Sequence, residues 1–318
     1  MKITAVVRTN DRREFLKECL SSISIQSHTN WEVLIFDDGK DEENYKIYRD
    51  FRSYHSDKRV LYITTFTPLE LFKKSWDYSL SLSDGEIIFR IDDDDFLCPR
   101  AFESISKIYD ENPLLDFSFG SSAIFSDETK KIDWIFYNKT PGEYKTRNAW
   151  APYLNPESDK YMWWIDHHPE EIEFSSIVHA SRATIMTLYH PYVMRKRSLL
   201  KTGGIPELTS NFFDDLEFMS HLEYSGLTYS SIKKVLTFCR SHSRERRMNQ
   251  SGISYGTNLF GESERVRNLC DLSRPSNFSP SVIEIQSEEK TEEEIQKIMD
   301  ETIVKIEAKI EEIFKKLR

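Results

Sequence analysis

Apolar and polar positions divide the chain into a regular first third and a looser remainder. Ile3-Thr4-Ala5-Val6-Val7 is short, apolar and β-branched, and reads as a strand that the polar run Arg8-Thr9-Asn10-Asp11 ends. Phe15, Leu16, Cys19, Leu20 and Ile23 then recur at three and four, which marks one face of a helix. The alternation repeats with a strand at 31–36, closed by the turn Asp37-Asp38-Gly39, and a helix over 42–54. A strand at 60–63, a helix at 69–82 stopped by Asp84-Gly85, and a strand at 86–91 complete the run.

Beyond this point the periods loosen. Pro99 is expected in the first turn of the next helix, which covers 102–109, and a strand follows over 116–125. Residues 126–175 read as irregular and rich in aromatic side chains, and apolar periodicity returns over 184–194. Gly203-Gly204-Ile205-Pro206 reads as a turn, a helix starts near Phe212, and 235–238 is the last strand. A Ser- and Pro-rich linker covers 273–286. From Thr291 a long helix follows, with Thr291 and Glu294 spaced as a capping box. Met299, Ile303, Ile306, Ile310, Ile313 and Leu317 form a heptad seam, which predicts a coiled coil and self-association, or else a helix docked on the protein's own body.

Strand–helix alternation predicts parallel βαβ units in a doubly wound α/β sheet with helices on both faces and a C-terminal helical extension. In such sheets ligands bind outside the carboxyl ends of the strands. Arg8-Thr9, Asp37-Asp38 and Asp92–Asp95 lie at three of those ends and are expected to meet in one crevice.

Composition narrows the picture. A net charge of −10 over 318 residues argues against a broad basic face for nucleic acid. The four cysteines, Cys19, Cys98, Cys239 and Cys270, contain no C-x-x-C pair and fit reduced thiols. Neither a signal peptide nor a membrane span is read in the sequence, so a cytoplasmic protein is expected, with work beside a membrane left open.

Four adjacent carboxylates, Asp92–Asp95, end a buried strand and repel one another. Either they form a solvated turn or a cation sits there, of which a hard divalent ion with oxygen ligands is the simplest. Arg240, Arg244, Arg246 and Arg247 with His242 make a basic loop after the last strand, and arginine forks suit a diphosphate. Asp214 and Asp215 open a helix, where capping is the plain reading. His167-His168 lacks partners at metal-ligand spacing.

Taken in order, these segments resemble a known family. Leu16-Lys17-Glu18-Cys19-Leu20-Ser21-Ser22, Asp37-Asp38-Gly39, Gly85-Glu86 leading to Asp92-Asp93-Asp94, Gly203-Gly204-Ile205 before Asp214-Asp215, and Arg240-Ser241-His242 are similar to motifs of the inverting family 2 glycosyltransferases with the glycosyltransferase-A fold. The resemblance covers about residues 3–250; Arg8 stands where that family usually has proline, and Asp214 where it has glutamate.

The resemblance implies one domain in two halves. Residues 1–112 would hold the nucleotide sugar, and residues 113–270 would supply the acceptor side and the catalytic groups. Residues 271–286 would be a linker and 287–318 the terminal helix. It implies a Mn2+ or Mg2+ ion on Asp94, with Asp92 and His242 as further ligands. Thr9, Arg8, Asp38, Asp92, Asp93, Arg244 and Arg247 would face the donor. Asp215, aided by Asp214, would be the general base. Trp163 and Trp164 would meet the acceptor, and Asp95 would be a supporting or acceptor-side acid. The implied partners are a nucleotide diphosphosugar, most often of uridine diphosphate, and a glycan, lipid-linked, protein or modified-base hydroxyl. A nucleotidyltransferase and a non-catalytic sugar-nucleotide-binding module are the alternatives. The former would normally carry a glycine-rich phosphate loop, which Arg8-Thr9-Asn10-Asp11 is not.

Overall fold

The computed structural model describes residues 1–37, 39, 42–64, 71–136, 192–203, 225–241, 281–283, 285 and 289–315. The first third forms as its periodicity predicts. Strands β1 (Ile3–Thr9), β2 (Trp31–Asp37), β3 (Val60–Thr64) and β4 (Ile87–Asp92) alternate with helices α1 (Arg13–Ser24), α2 (Glu42–Tyr54) and α3 (Leu71–Leu82). The four strands are parallel and lie in the order β3-β2-β1-β4. Every residue of β2 is buried, as a central parallel strand with helices on both faces requires.

The rest of the chain extends the same sheet. A two-residue strand β5 (Phe96–Leu97) precedes α4 (Ala101–Glu111), so Pro99 lies just before the helix and not in its first turn. Then come β6 (Phe117–Ser126), β7 (Ile132–Phe136), β8 (Tyr192–Arg195), the short helix α5 (Lys196–Lys201), β9 (Thr228–Ser241), β10 (Ser281–Val282) and α6 (Glu292–Ile310). The full order is β10-β9-β6-β8-β4-β1-β2-β3. β8 is antiparallel to β4 and β6, while β6 and β9 are mutually parallel. Two antiparallel steps restore direction, so the carboxyl ends of β6 and β9 share an edge with those of β1–β4.

Three elements differ from expectation. β7 forms inside the stretch read as irregular, because a turn with Lys130 at φ 53° folds it back on β6. β9 is far longer than 235–238. Part of the expected linker adds β10 to the sheet, with Ile283 and Ile285 packed on the core.

Apolar side chains form two cores, one per face. Leu16, Leu20, Phe51, Phe102, Ile105 and Met299 belong to the face covered by α1, α2, α4 and α6. Trp76, Leu80 and Leu199 belong to the other, with α3 and α5. Leu317 lies outside the described residues, and the described part of the heptad seam packs in the first core. Met299, Ile306 and Ile313 are buried and Ile303 and Ile310 half-buried against it, with α6 resting on α1 and β7. In its described part the apolar stripe rests on the chain's own body, as in the docked alternative. The capping box forms, with Thr291 and Glu294 bonded reciprocally.

At the amino-terminal end of the sheet, buried Glu32 fixes where β4 begins. It accepts from Thr4 Oγ1 at 2.6 Å and from the Asp84 and Gly85 N–H groups at 2.6 and 3.1 Å, and pairs with Arg59 and Lys2. Burial pushes this carboxyl up, but these donors outweigh it and hold it below the ordinary value. A side chain at Gly85 would lie 2.7 Å from the Thr4 backbone nitrogen, so only glycine lets the chain pass here. Cys19, Cys98 and Cys239 are buried free thiols, and burial pushes each thiol up. Among the described residues no helix is long and apolar enough to cross a membrane.

Candidate active site

Register brings the expected groups together at the carboxyl edge. Arg8 lies opposite Asp92, Thr9 opposite Asp37, and Asp37 opposite Thr64. The acidic run leaves β4 at Asp92, turns as Asp95 N–H donates to Asp92 O at 3.2 Å, and is tied down at once by β5 pairing with β9.

Each carboxylate has its own partners. Asp92 Oδ1 faces Arg8 Nη2 at 3.4 Å and Arg90 Nη2 at 3.5 Å. Asp93 accepts from Thr9 Oγ1 at 2.7 Å and from Arg12 Nη1 at 3.2 Å. Asp94 Oδ2 pairs with Arg12 Nη1 at 2.5 Å. Asp95 accepts from the Arg240 N–H at 3.1 Å. Burial, reinforced by Asp94 and Asp92, pushes the Asp93 carboxyl above the ordinary carboxylate range, against Arg12 and Thr9, which pull it down. Burial and the same two neighbours push Asp95 further up.

These positions sort the expected roles. Asp93 is only 3% exposed, so as placed it offers a donor no surface; it orients Thr9 and Arg12 instead. Asp95 is buried against β9, where it accepts from the Arg240 N–H. Asp92 and Asp94 keep partial access to solvent. Asp38, Trp163, Trp164, Asp214, Asp215, His242, Arg244 and Arg247 lie outside the described residues.

Two further residues, Asp37 and Arg240, hold this edge together. Asp37 organises the second turn. It is buried and accepts from Gly39 N–H at 2.7 Å, Asn44 Nδ2 at 3.0 Å and the Tyr62 hydroxyl. A Cβ on Gly39 would sit 2.9 Å from Asp37 Oδ1 and against the Asp11 carboxylate, so the first two turns pack side against side. Asp11 itself adopts φ 51°.

Arg240 is the second: read in the sequence as part of a basic loop suited to a diphosphate, it is instead buried within β9. Its Nε donates to Asp94 O at 3.0 Å, and its two Nη groups pair with Asp127 and Glu18. The guanidinium lies 4.4 Å from the Phe15 ring centroid and 5.0 Å from that of Phe125. Burial pushes the Asp127 carboxyl up, but Lys130 and Arg240 outweigh it and hold it at about 2. Arg240 thus joins α1, the β6–β7 turn and the acidic run. Arg240→Leu is expected to cost about 3 kcal/mol in denaturant unfolding, the low end for breaking a buried pair, because Glu18 keeps some solvent. A loss below about 1 kcal/mol would contradict this role.

The cation demanded by the acidic run is therefore supplied in part by Arg8, Arg12 and Arg90, while Arg240 pairs with Asp127 and Glu18. For a divalent ion, the donor chemistry fits in one form. Among the described residues no three carboxylate, imidazole or thiol groups converge on a metal position. Asp92 and Asp94 nevertheless offer two hard oxygen ligands, and a small divalent ion is commonly held by one or two carboxylates plus phosphate oxygens of its substrate.

Comparisons with known proteins define the family and the fold. The family model Glycosyl transferase family 2 matches residues 4–202, and the chain belongs to that family. EpsE of Bacillus subtilis (strain 168), which is named as a glycosyltransferase, is 30% identical over 102 residues. That match covers 32% of this chain and 36% of EpsE, so it spans little more than a third of that relative. Among solved structures, TarS 1-349 of S. aureus in complex with UDP-GlcNAc has a TM-score of 0.56 at 16% identity, over 96% of this chain and 72% of TarS 1-349. The mannosyltransferase PcManGT of Pyrobaculum calidifontis, in complex with GDP-Man and Mn2+, has a TM-score of 0.50 at 12% identity, over 96% of this chain and 73% of its own. At such identities the likeness establishes the glycosyltransferase-A-like fold.

Proposed function

We propose that this protein moves a sugar from a nucleotide diphosphosugar to an acceptor hydroxyl, with inversion and with help from a divalent ion. The observation that carries the reading is the register that brings Arg8, Thr9 and Asp37 beside Asp92–Asp95 at the carboxyl edge of a family 2 sheet. Asp92 and Asp94 would hold Mn2+ or Mg2+, with His242 as a further ligand, and when bound the ion would stabilise charge on the leaving diphosphate. The nucleotide would lie over the turns after β1 and β2, against the Thr9 backbone and Asp38. Arg8, Arg244 and Arg247 would bind phosphate oxygens through paired N–H groups.

Asp215, with Asp214 beside it, would accept the acceptor's proton as the hydroxyl oxygen bonds the anomeric carbon and the diphosphate departs. A base on the face opposite the leaving group gives the inverted product. Trp163 and Trp164 would receive a glycan, lipid-linked, protein or modified-base acceptor. Uridine diphosphate is the first nucleotide to try, since TarS was crystallised with UDP-GlcNAc.

Thermal melting tests the donor site directly. Uridine diphosphate and Mn2+ together are expected to raise the melting temperature more than the sum of their separate effects. At a hundredfold excess over Kd the stabilisation is about 2.7 kcal/mol. No shift with Mn2+ and any of the common nucleoside diphosphates would refute the donor site.

A further inference from the structure

The four arginines around the acidic run fall into two kinds. Arg90 and Arg240 have side chains 0% and 1% exposed and are sealed into the frame. Arg8 and Arg12 are 20% and 28% exposed, at the mouth of the crevice. Of these two, Arg12 makes the tighter contact, bridging Asp94 at 2.5 Å and Asp93 at 3.2 Å through one nitrogen. Its backbone is fixed at the start of α1, where Leu16 N–H donates to Arg12 O at 2.9 Å. Its side chain makes no cap bond to that helix and is directed at the carboxylates instead.

We infer that Arg12 is a built-in counter-ion that holds Asp94 away from a divalent ion until a nucleoside diphosphate draws the guanidinium onto its phosphates. The inference rests on the reading of Asp92 and Asp94 as the metal-facing pair. The Asp94 oxygen that Arg12 engages is lost to the ion, and the adjacent positive charge opposes the ion's arrival. Asp92 likewise faces Arg8 and Arg90, so part of the run's negative charge is already compensated by arginine.

A diphosphate changes this balance. It offers a guanidinium a bidentate partner and brings negative charge and further oxygen ligands for the ion. Arg12, whose side chain is 28% exposed, then exchanges Asp94 for phosphate. Asp93, buried between Thr9 and Arg12, keeps the arginine within reach of the crevice. Metal and nucleotide therefore bind with positive coupling, part of which passes through Arg12.

The test is titration of Mn2+ into the full chain, followed by the electron paramagnetic resonance signal of the free ion, with and without uridine diphosphate. Arg12→Gln is expected to bind Mn2+ alone at least tenfold more tightly than the unsubstituted protein and to show a smaller gain from uridine diphosphate. Arg12→Lys, which keeps the charge but cannot form the same fork, is expected to fall between them. Asp94→Asn added to Arg12→Gln is expected to remove the gain. Equal Mn2+ affinity in the unsubstituted protein and both single variants, with uridine diphosphate still strengthening binding, overturns the counter-ion and leaves the metal reading intact. No Mn2+ binding in any of the three, with or without uridine diphosphate, overturns both.

Discussion

Deletion of residues 291–318 is expected to abolish cooperative unfolding. Helix α6 and the turn that follows it bury Ile295, Met299, Ile306, Ile313 and Phe314. At about 1.5–3 kcal/mol for each large apolar side chain, the gross contribution is on the order of 10 kcal/mol. That is an upper estimate, but it equals the whole stability of an ordinary domain. Polar edges depend on the helix too. Gln296 accepts from Ile132 N–H at 2.8 Å and donates to Lys130 O at 3.1 Å, closing the free edge of β7. Tyr54 donates to Glu312, and Lys309 reaches the same tyrosine at 3.2 Å. The truncated chain should lose its near-ultraviolet circular dichroism and bind hydrophobic dyes. A truncated chain that melts within a few degrees of the full one would mean that α6 is no part of the core.

Asp94→Asn is expected to lower turnover by about 10³-fold or more while leaving the fold intact. Asparagine keeps the size of the side chain and removes its charge, and with it the strongest ligand proposed for the ion. Charge stabilisation of a leaving diphosphate is worth several kcal/mol, and each 1.36 kcal/mol is tenfold in rate. The cost to folding should be small. Asp94 lies partly in solvent, and its main-chain oxygen still accepts from Arg240. Turnover within tenfold of the unsubstituted enzyme would remove Asp94 from the chemistry.

The first third of the fold was legible because each of its elements carries its own period. Strands 3–7 and 31–36 and the helix face from Phe15 to Ile23 need no distant partner to be recognised. The acidic run was legible for the same reason, since four carboxylates at a strand end are visible in any context. What balances that run was not. Arg8 meets Asp92 across 84 positions of sequence, and Arg12 meets Asp93 and Asp94 across 81 and 82. Arg90 did carry a local mark, a lone cation inside the apolar strand Ile87–Asp92, which can only be buried with an acid.

Nothing in the pattern Asp37-Asp38-Gly39 marked Asp37, because its role depends on a side chain turned inward to meet Gly39, Asn44 and Tyr62. The terminal seam is ambiguous in principle. Isoleucines every three and four residues are satisfied equally by a second helix or by the chain's own α1 and β7. β10 shows the opposite limit, since two residues paired with β9 leave no period to read.

The most direct test of the acidic run as a donor site is release of nucleoside diphosphate from a panel of nucleotide sugars with Mn2+, run on the unsubstituted enzyme and Asp94→Asn together. Release from at least one donor, lost with the metal and lost in Asp94→Asn, is expected. Release that is indifferent to Mn2+ and to Asp94, or no release from any donor under conditions where the protein is folded, would contradict it.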